Sequence, residues 1–208
     1  MDYRQKPQHL KYQQPLLTAL QSSAMIFIRD TRRKICADQI ETERKLQNMQ
    51  SYEILKVDSS NREIVNAFIV QHWYDIRMVI RGKIIDLSES DGYCIIENQR
   101  VIGVITYCIE GGECEITLLH SLLENQGIGT RLVQAVLEAA QAAGAGKVKV
   151  ITTNDNIRAI LFYQRKGFDM AALYHNSMDK VREIKRGVPL IGENGILLKH
   201  EIEFVKTL

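Results

Sequence analysis

Glu113–Phe168 reads ECEITLLHSLLENQGIGTRLVQAVLEAAQAAGAGKVKVITTNDNIRAILFYQRKGF, and the order of features along it decides the fold. The apolar run Ile116-Thr117-Leu118-Leu119 has the composition of a buried strand. It feeds Glu124-Asn125-Gln126-Gly127-Ile128-Gly129-Thr130, where glycines let backbone N–H groups approach an anion closely at a helix start. Ile128, Leu132, Val136 and Ala140 then recur on one stripe, with Val133 and Leu137 beside it, which predicts an amphipathic helix stopped by Gly144 and Gly146. Lys147-Val148-Lys149-Val150-Ile151-Thr152 alternates charged and β-branched residues as a strand does. A second helical stretch follows, carrying Asn156, Ala159, Phe162 and Tyr163 ahead of Gly167-Phe168.

The glycine loop is not one of the two familiar phosphate loops. A dinucleotide fingerprint needs a third glycine where this chain has Leu132, and a Walker loop needs Gly-Lys-Ser/Thr where it has Gly129-Thr130-Arg131. It resembles instead the pyrophosphate loop of the GNAT superfamily of N-acetyltransferases, Gln/Arg-x-x-Gly-x-Gly/Ala, with Glu124 standing at the first position. That departure has consequences. A carboxylate beside a pyrophosphate is repulsive, so Glu124 has to point away, meet a cation or weaken cofactor binding. Asn156, Ala159, Phe162, Tyr163, Gly167 and Phe168 repeat the residue types and spacing that line the acyl-CoA slot of the same superfamily. The resemblance covers most of residues 52–176 and is most specific over 113–168.

What the resemblance implies is an α/β chain with a GNAT fold at 52–208: a mixed, mostly antiparallel central sheet flanked by helices. It further implies an acetyl-CoA-dependent N-acetyltransferase that moves an acetyl group to a primary amine by direct attack in a ternary complex. In that reading the main chain at Leu118 and Leu119 pairs with the pantetheine arm and polarises the thioester carbonyl. Gln126, Gly127, Ile128, Gly129 and Thr130 hold the pyrophosphate. Asn156 contacts the pantetheine arm, caps its helix, or does both. Tyr163 aligns with the tyrosine that protonates the departing CoA sulfur, since a phenol is a donor at neutral pH; its alternative role is packing. Glu113 and Glu115 lie two apart on one strand face, so either can reach the amine through water, and Glu115 is deeper in the apolar run. The same carboxylates also read as edge charges that block aggregation. His120 and water are the other candidate bases. A catalytically silent acyl-CoA-binding or regulatory module is the rival function; Glu124 favours it, whereas Tyr163 and the strand carboxylates favour an enzyme.

Composition bounds these readings. A chain of 208 residues can bury one good-sized core and carry an appendage. The formal net charge of +2 gives no reason to expect nucleic acid or an anionic membrane as partner. No apolar run is long enough for a span, and Met-Asp-Tyr-Arg-Gln-Lys lacks a signal-peptide core, so a cytoplasmic location is expected. Cys36, Cys94, Cys108 and Cys114 show no Cys-x-x-Cys spacing and read as buried small hydrophobes, and with five scattered histidines no metal site is expected.

Residues 1–51 form a separate N-terminal helical extension in this reading. Leu17, Leu20, Ala24, Phe27 and Ile28 make an apolar stripe that packs on the chain's own core or on a second copy in a homodimer, while Arg32-Arg33-Lys34 reads as a solvated face in preference to a nucleic-acid contact. The core is expected to start with a strand at Tyr52–Val57 and a helix at Asn61–Trp73 capped by Ser59 or Ser60. Substrate-covering helices and loops are implied for residues 74–91, with Arg77, Arg81, Asp86 and Glu89 facing the acceptor pocket. A hairpin over Gly92–Glu97 and Val101–Glu110 turns at Asn98-Gln99, and Gly111-Gly112 leads into Glu113. Met170–His175, Met178–Arg186 and Glu201–Val205 read as strand, helix and closing strand.

Overall fold

A computed structural model of the chain describes residues 52–208. In chain order the elements are β1 (Leu55–Lys56), α1 (Arg62–Trp73), β2 (Arg77–Ile80), β3 (Lys83–Asp86), β4 (Asp91–Glu97) and β5 (Arg100–Glu110). Then come β6 (Glu113–Ser121), α2 (Ile128–Ala142), β7 (Lys147–Thr153), α3 (Ile157–Arg165), β8 (Asp169–Tyr174), α4 (Ser177–Ile184) and β9 (Glu201–Thr207). The turns are set by local chemistry. Asn98 and Gln99 both take positive φ, 48° and 62°, and Gly111 and Gly112 take 58° and 78°, so β4, β5 and β6 form a tight antiparallel run.

Seven strands make one sheet in the order β1-β4-β5-β6-β7-β9-β8. Among the described residues its one parallel pair is β6–β7, which requires a crossover, and α2 supplies it. The predicted stripe of α2 is the buried one: Ile128, Leu132, Val133, Val136 and Ala140 pack with Cys114, Ile116, Val148, Val150, Tyr163 and Phe204 on one sheet face. On the other face Val65, Phe68 and Ile69 of α1 pack with Cys94, Val104 and Leu118. Burying each Val, Leu, Ile or Phe side chain among them contributes about 1.5–3 kcal/mol of transfer free energy, so the sheet is held between two cores.

Four expectations are corrected. Neither Ser59 nor Ser60 caps α1: Asn61 holds the cap position without a side-chain cap bond, and Asp58 draws Ser60 Oγ (2.6 Å) and Ser60 N (2.8 Å) onto its carboxylate. Donating to that carboxylate turns the Ser60 hydroxyl toward Asp58 and away from the helix N–H groups from which a capping oxygen would accept. The strand expected at Tyr52–Val57 shrinks to Leu55–Lys56. Residues 77–86 are a β2–β3 hairpin, not helices, because Arg81 and Gly82 take φ 51° and 72° between two β-branched runs. Cys108 is exposed, whereas Cys94 and Cys114 are buried as expected. The N-terminal extension, its apolar stripe and dimer role, Arg32-Arg33-Lys34 and Cys36 lie outside the described residues.

Candidate active site

The sheet opens along β6, the strand that carries Leu118 and Leu119. β6 and β7 pair from Glu113↔Lys147 to Ile116↔Val150, yet β6 continues to Ser121 and β7 to Thr153. A bulge marks the divergence. Thr106 faces Leu118 and Tyr107 faces Ile116, leaving Thr117 as the extra residue of β6, its hydroxyl 2.8 Å from that of Thr106. The bulge also switches faces, since Ile116 packs on the α2 side and Leu118 on the α1 side. Beyond Ile116, among the described residues, the ladder gives β6 no partner on its β7 edge, so the main-chain groups of that edge at Leu118 and Leu119 face no strand.

The glycine loop sits beside this opening. Gly127 takes φ 75° at the cap position of α2, a conformation that penalises other residues, and no acidic side chain occupies the first turn. The first N–H groups of the helix, those of Ile128, Gly129 and Thr130, have no intrahelical acceptor and carry the positive end of the helix dipole. A methyl group built on Gly129 would stand 3.6 Å from the Phe162 ring and 4.0 Å from Leu119 Cδ2. The loop, the divergent strand and α3 therefore meet at one point. Since 3.6 Å is ordinary van der Waals contact, the fold itself does not demand glycine there; a ligand approaching the bare backbone would. Of the outcomes open to Glu124, the structure shows one: at the surface it meets a cation, Arg158 of α3.

Asn156 caps α3, its Oδ1 accepting the Ala159 N–H at 2.9 Å. Tyr163, two turns on, is 5% exposed. Its ring meets Phe162, Phe168 and Phe204 at centroid distances of 5.2, 5.6 and 5.8 Å. Burial pushes its phenol well above the usual range, so at neutral pH the hydroxyl keeps its proton.

The candidate bases differ in how occupied they are. Arg81 Nη2 donates to both oxygens of Glu115 at 3.1 and 3.0 Å, and Lys149 Nζ lies 3.5 Å from it. Glu113 is paired with Lys147 at 2.7 Å and Lys149 at 3.1 Å, which hold its carboxyl below the usual range. The same Arg81 reaches Glu203 at 3.3 Å, and its N–H donates to Glu201 Oε1 at 3.1 Å; the Tyr174 hydroxyl donates to Glu203 at 2.7 Å. Sequence reasoning missed Glu201, Glu203 and Tyr174, whose partners are far away in the chain. Of the other residues expected to face a pocket, Arg77 pairs with Asp75, Asp86 accepts the Ser88 N–H, and Glu89 is exposed. His120 is half-buried, stacked on His72 at 4.8 Å and edged by Phe68 and Trp73. Burial, then the neighbouring His72, lowers its pKa, which leaves a neutral imidazole with a lone pair at neutral pH. Among the described residues no group of three or more His, Cys, Asp and Glu could hold a metal, and no helix is long and apolar enough to cross a membrane.

Comparison with known proteins bears on this arrangement. A family model described as the acetyltransferase (GNAT) family matches residues 51–168. The uncharacterised protein YdhI of Bacillus subtilis is 43% identical over 148 residues, 71% of this chain and 92% of that protein. YxbD of the same organism, also uncharacterised, is 38% identical over 71% of this chain and 93% of its own length. Among solved structures, a Bacillus subtilis acetyltransferase in complex with CoA aligns at TM-score 0.56 and 21% identity, covering 76% of this chain and 99% of that one. A GNAT family acetyltransferase of Elizabethkingia anophelis with acetyl-CoA bound aligns at TM-score 0.56 and 19% identity, covering 76% and 98%. At these identities the structural likeness shows a shared fold.

Proposed function

The chain belongs to the acetyltransferase (GNAT) family, and from that premise we propose that it is an N-acetyltransferase using acetyl-CoA as acyl donor. The acceptor is a primary amine of a small molecule or peptide, which attacks directly in a ternary complex. One observation carries the reading: the divergence of β6 from β7, the Gly127–Thr130 turn and the Tyr163 helix converge at Gly129. The CoA- and acetyl-CoA-bound neighbours support it.

In this reading the main chain at Leu118 and Leu119 aligns the pantetheine arm and polarises the thioester carbonyl, a preorganised stabilisation of developing negative charge. Gln126, Gly127, Ile128, Gly129 and Thr130 receive the pyrophosphate at the helix start. Asn156 fixes the first turn of α3 and so the place of Tyr163. Tyr163 holds a proton on its hydroxyl oxygen and releases it to the thiolate as the C–S bond breaks. Glu115 takes the amine proton through water.

The engagement of both Glu115 oxygens by Arg81 favours a second reading, in which the neutral His120 is the base. The test varies acetyl-CoA and amine together. Intersecting initial-rate lines are expected for a ternary complex, and parallel lines would mean a covalent acetyl-enzyme and sink direct transfer. The pH profile then separates the bases. With His120 as base, the acid limb of kcat/KM lies below the ordinary histidine value of about 6.5, because burial and His72 lower its pKa. His120→Gln removes that limb, and Glu115→Gln leaves it in place. The reverse pattern, measured with the same amine so that acceptor titration cancels, assigns the proton to Glu115.

A further inference from the structure

Three successive side chains leave the end of β7, and two of them do not serve α3. Asn154 Nδ2 donates to the Leu197 carbonyl at 2.9 Å, while its Oδ1 accepts the N–H groups of Lys199 (2.9 Å) and His200 (2.8 Å). Its own N–H donates to the His200 carbonyl at 3.0 Å. Asp155 is 5% exposed; its Oδ2 accepts the Glu193 N–H at 2.8 Å, and its Oδ1 is buried without a hydrogen-bond partner among the described residues. A β-carbon on Gly192 would fall 1.9 Å from that Oδ2 and 2.5 Å from Cγ, so only glycine allows the approach. Asn156 alone turns to cap α3.

On its other side the segment is tied to α4, where Arg182 donates to the Pro189 and Leu198 carbonyls, Met178 N–H donates to the Lys199 carbonyl, and Leu198 is buried against Met178 and Val181; the stretch around Gly192 and Glu193 is left to Asp155. Residues 190–198 close on themselves through Gly192 N to Ile196 O (2.8 Å) and Leu198 N to Leu190 O (2.9 Å). Leu190, Ile191 and Leu197 remain 68%, 60% and 55% exposed, so apolar burial does not anchor them. The location gives the latch a purpose. Thr153 ends β7 on the open side of the β6–β7 divergence, and the far end of the segment runs into Glu201, which accepts from Arg81.

We propose that Asn154 and Asp155 fasten residues 190–200 as a wall of the acceptor entrance, making both positioning residues that set how tightly the amine, but not acetyl-CoA, is held. The proposal rests on the acetyl-transfer reading of the same opening. Asp155→Ala removes one charge-assisted hydrogen bond, and the KM for the fastest amine of a panel rises by about tenfold. The kcat changes by less than about threefold, and acetyl-CoA binding is retained, which is the split expected when ground-state positioning of one substrate is lost. Gly192→Ala pushes on the same carboxylate from the opposite side and gives the same phenotype. In the double variant the clash partner is gone, so Gly192→Ala adds nothing to Asp155→Ala. Asp155→Asn keeps an acceptor for the Glu193 N–H and restores a low amine KM.

Amide hydrogen exchange gives a readout that needs no acceptor. The N–H of Glu193 exchanges faster in Asp155→Ala while those of α2 keep their protection. Unchanged exchange at Glu193 overturns the latch, as do additive effects of Gly192→Ala and Asp155→Ala on amine KM or equal losses of amine and acetyl-CoA affinity. Failure of the acetyl-transfer reading shows up separately, as absence of turnover in the unsubstituted protein.

Discussion

Tyr163→Phe is expected to lower the turnover number by about tenfold to a thousandfold, with acetyl-CoA affinity nearly unchanged. Positioned general acids contribute roughly 10²–10⁴ in rate, and water can replace part of that role when the hydroxyl is missing. The substitution leaves the ring in its nest of Phe162, Phe168 and Phe204, so stability should hold. Burial raises the phenol pKa, which keeps the hydroxyl protonated at neutral pH and makes it a weaker acid toward a thiolate, a cost that counts against the upper end of that range. The measurement is single-turnover acetyl transfer beside acetyl-CoA binding. Unchanged turnover with chemistry rate-limiting would return Tyr163 to a packing role and leave water as the proton source.

Gly129→Val is expected to abolish most of the thermal stabilisation that acetyl-CoA confers. A ligand that binds only the native state adds RT ln(1 + [L]/Kd), about 2.7 kcal/mol at one hundred times Kd. The first added carbon would make only ordinary contact with Phe162 and Leu119, so the apo fold tolerates it. The helix-propensity cost of valine is at most about 0.7 kcal/mol relative to alanine. What the branched side chain obstructs is the approach of a diphosphate to the first N–H groups of α2. Thermal shift of the variant with acetyl-CoA, against ATP and NAD with the unsubstituted protein, checks this. Equal shifts from all three ligands would mean a nonspecific anion site.

Local physics made much of the fold legible. The stripe of α2, the positive-φ turns at Asn98-Gln99 and Gly111-Gly112, and the cap at Asn156 each rest on residues within a few positions of one another. The β2–β3 hairpin is equally local, since Arg81-Gly82 stands between two β-branched runs, and it takes the place of the covering helices that the family resemblance implies alongside loops.

The site was less legible because its partners are remote. Arg81 lies 34 residues from Glu115 and 122 from Glu203, and Asn154 lies 43 residues from Leu197. Arg158 answers Glu124 across 34 residues. No spacing rule connects such pairs, because sheet order and not sequence distance brings them together. Arg81 illustrates the consequence: its side chain reaches Glu115 and Glu203 only because its turn folds over β6 and β9. The sequence marked Glu115 as a base candidate, and only the structure reveals that its oxygens are already held.

The most direct test of the account is release of CoA thiol from acetyl-CoA by the full chain, with and without a panel of primary amines spanning polyamines, amino acids, aminoglycosides and peptide amines. The account predicts amine-dependent release, with one mole of acetylated amine for each mole of thiol and loss of most of the rate in Tyr163→Phe. Tight acetyl-CoA binding with no amine-dependent release across the panel would contradict it, and would identify the chain as an acyl-CoA-binding module that has kept the fold without the chemistry.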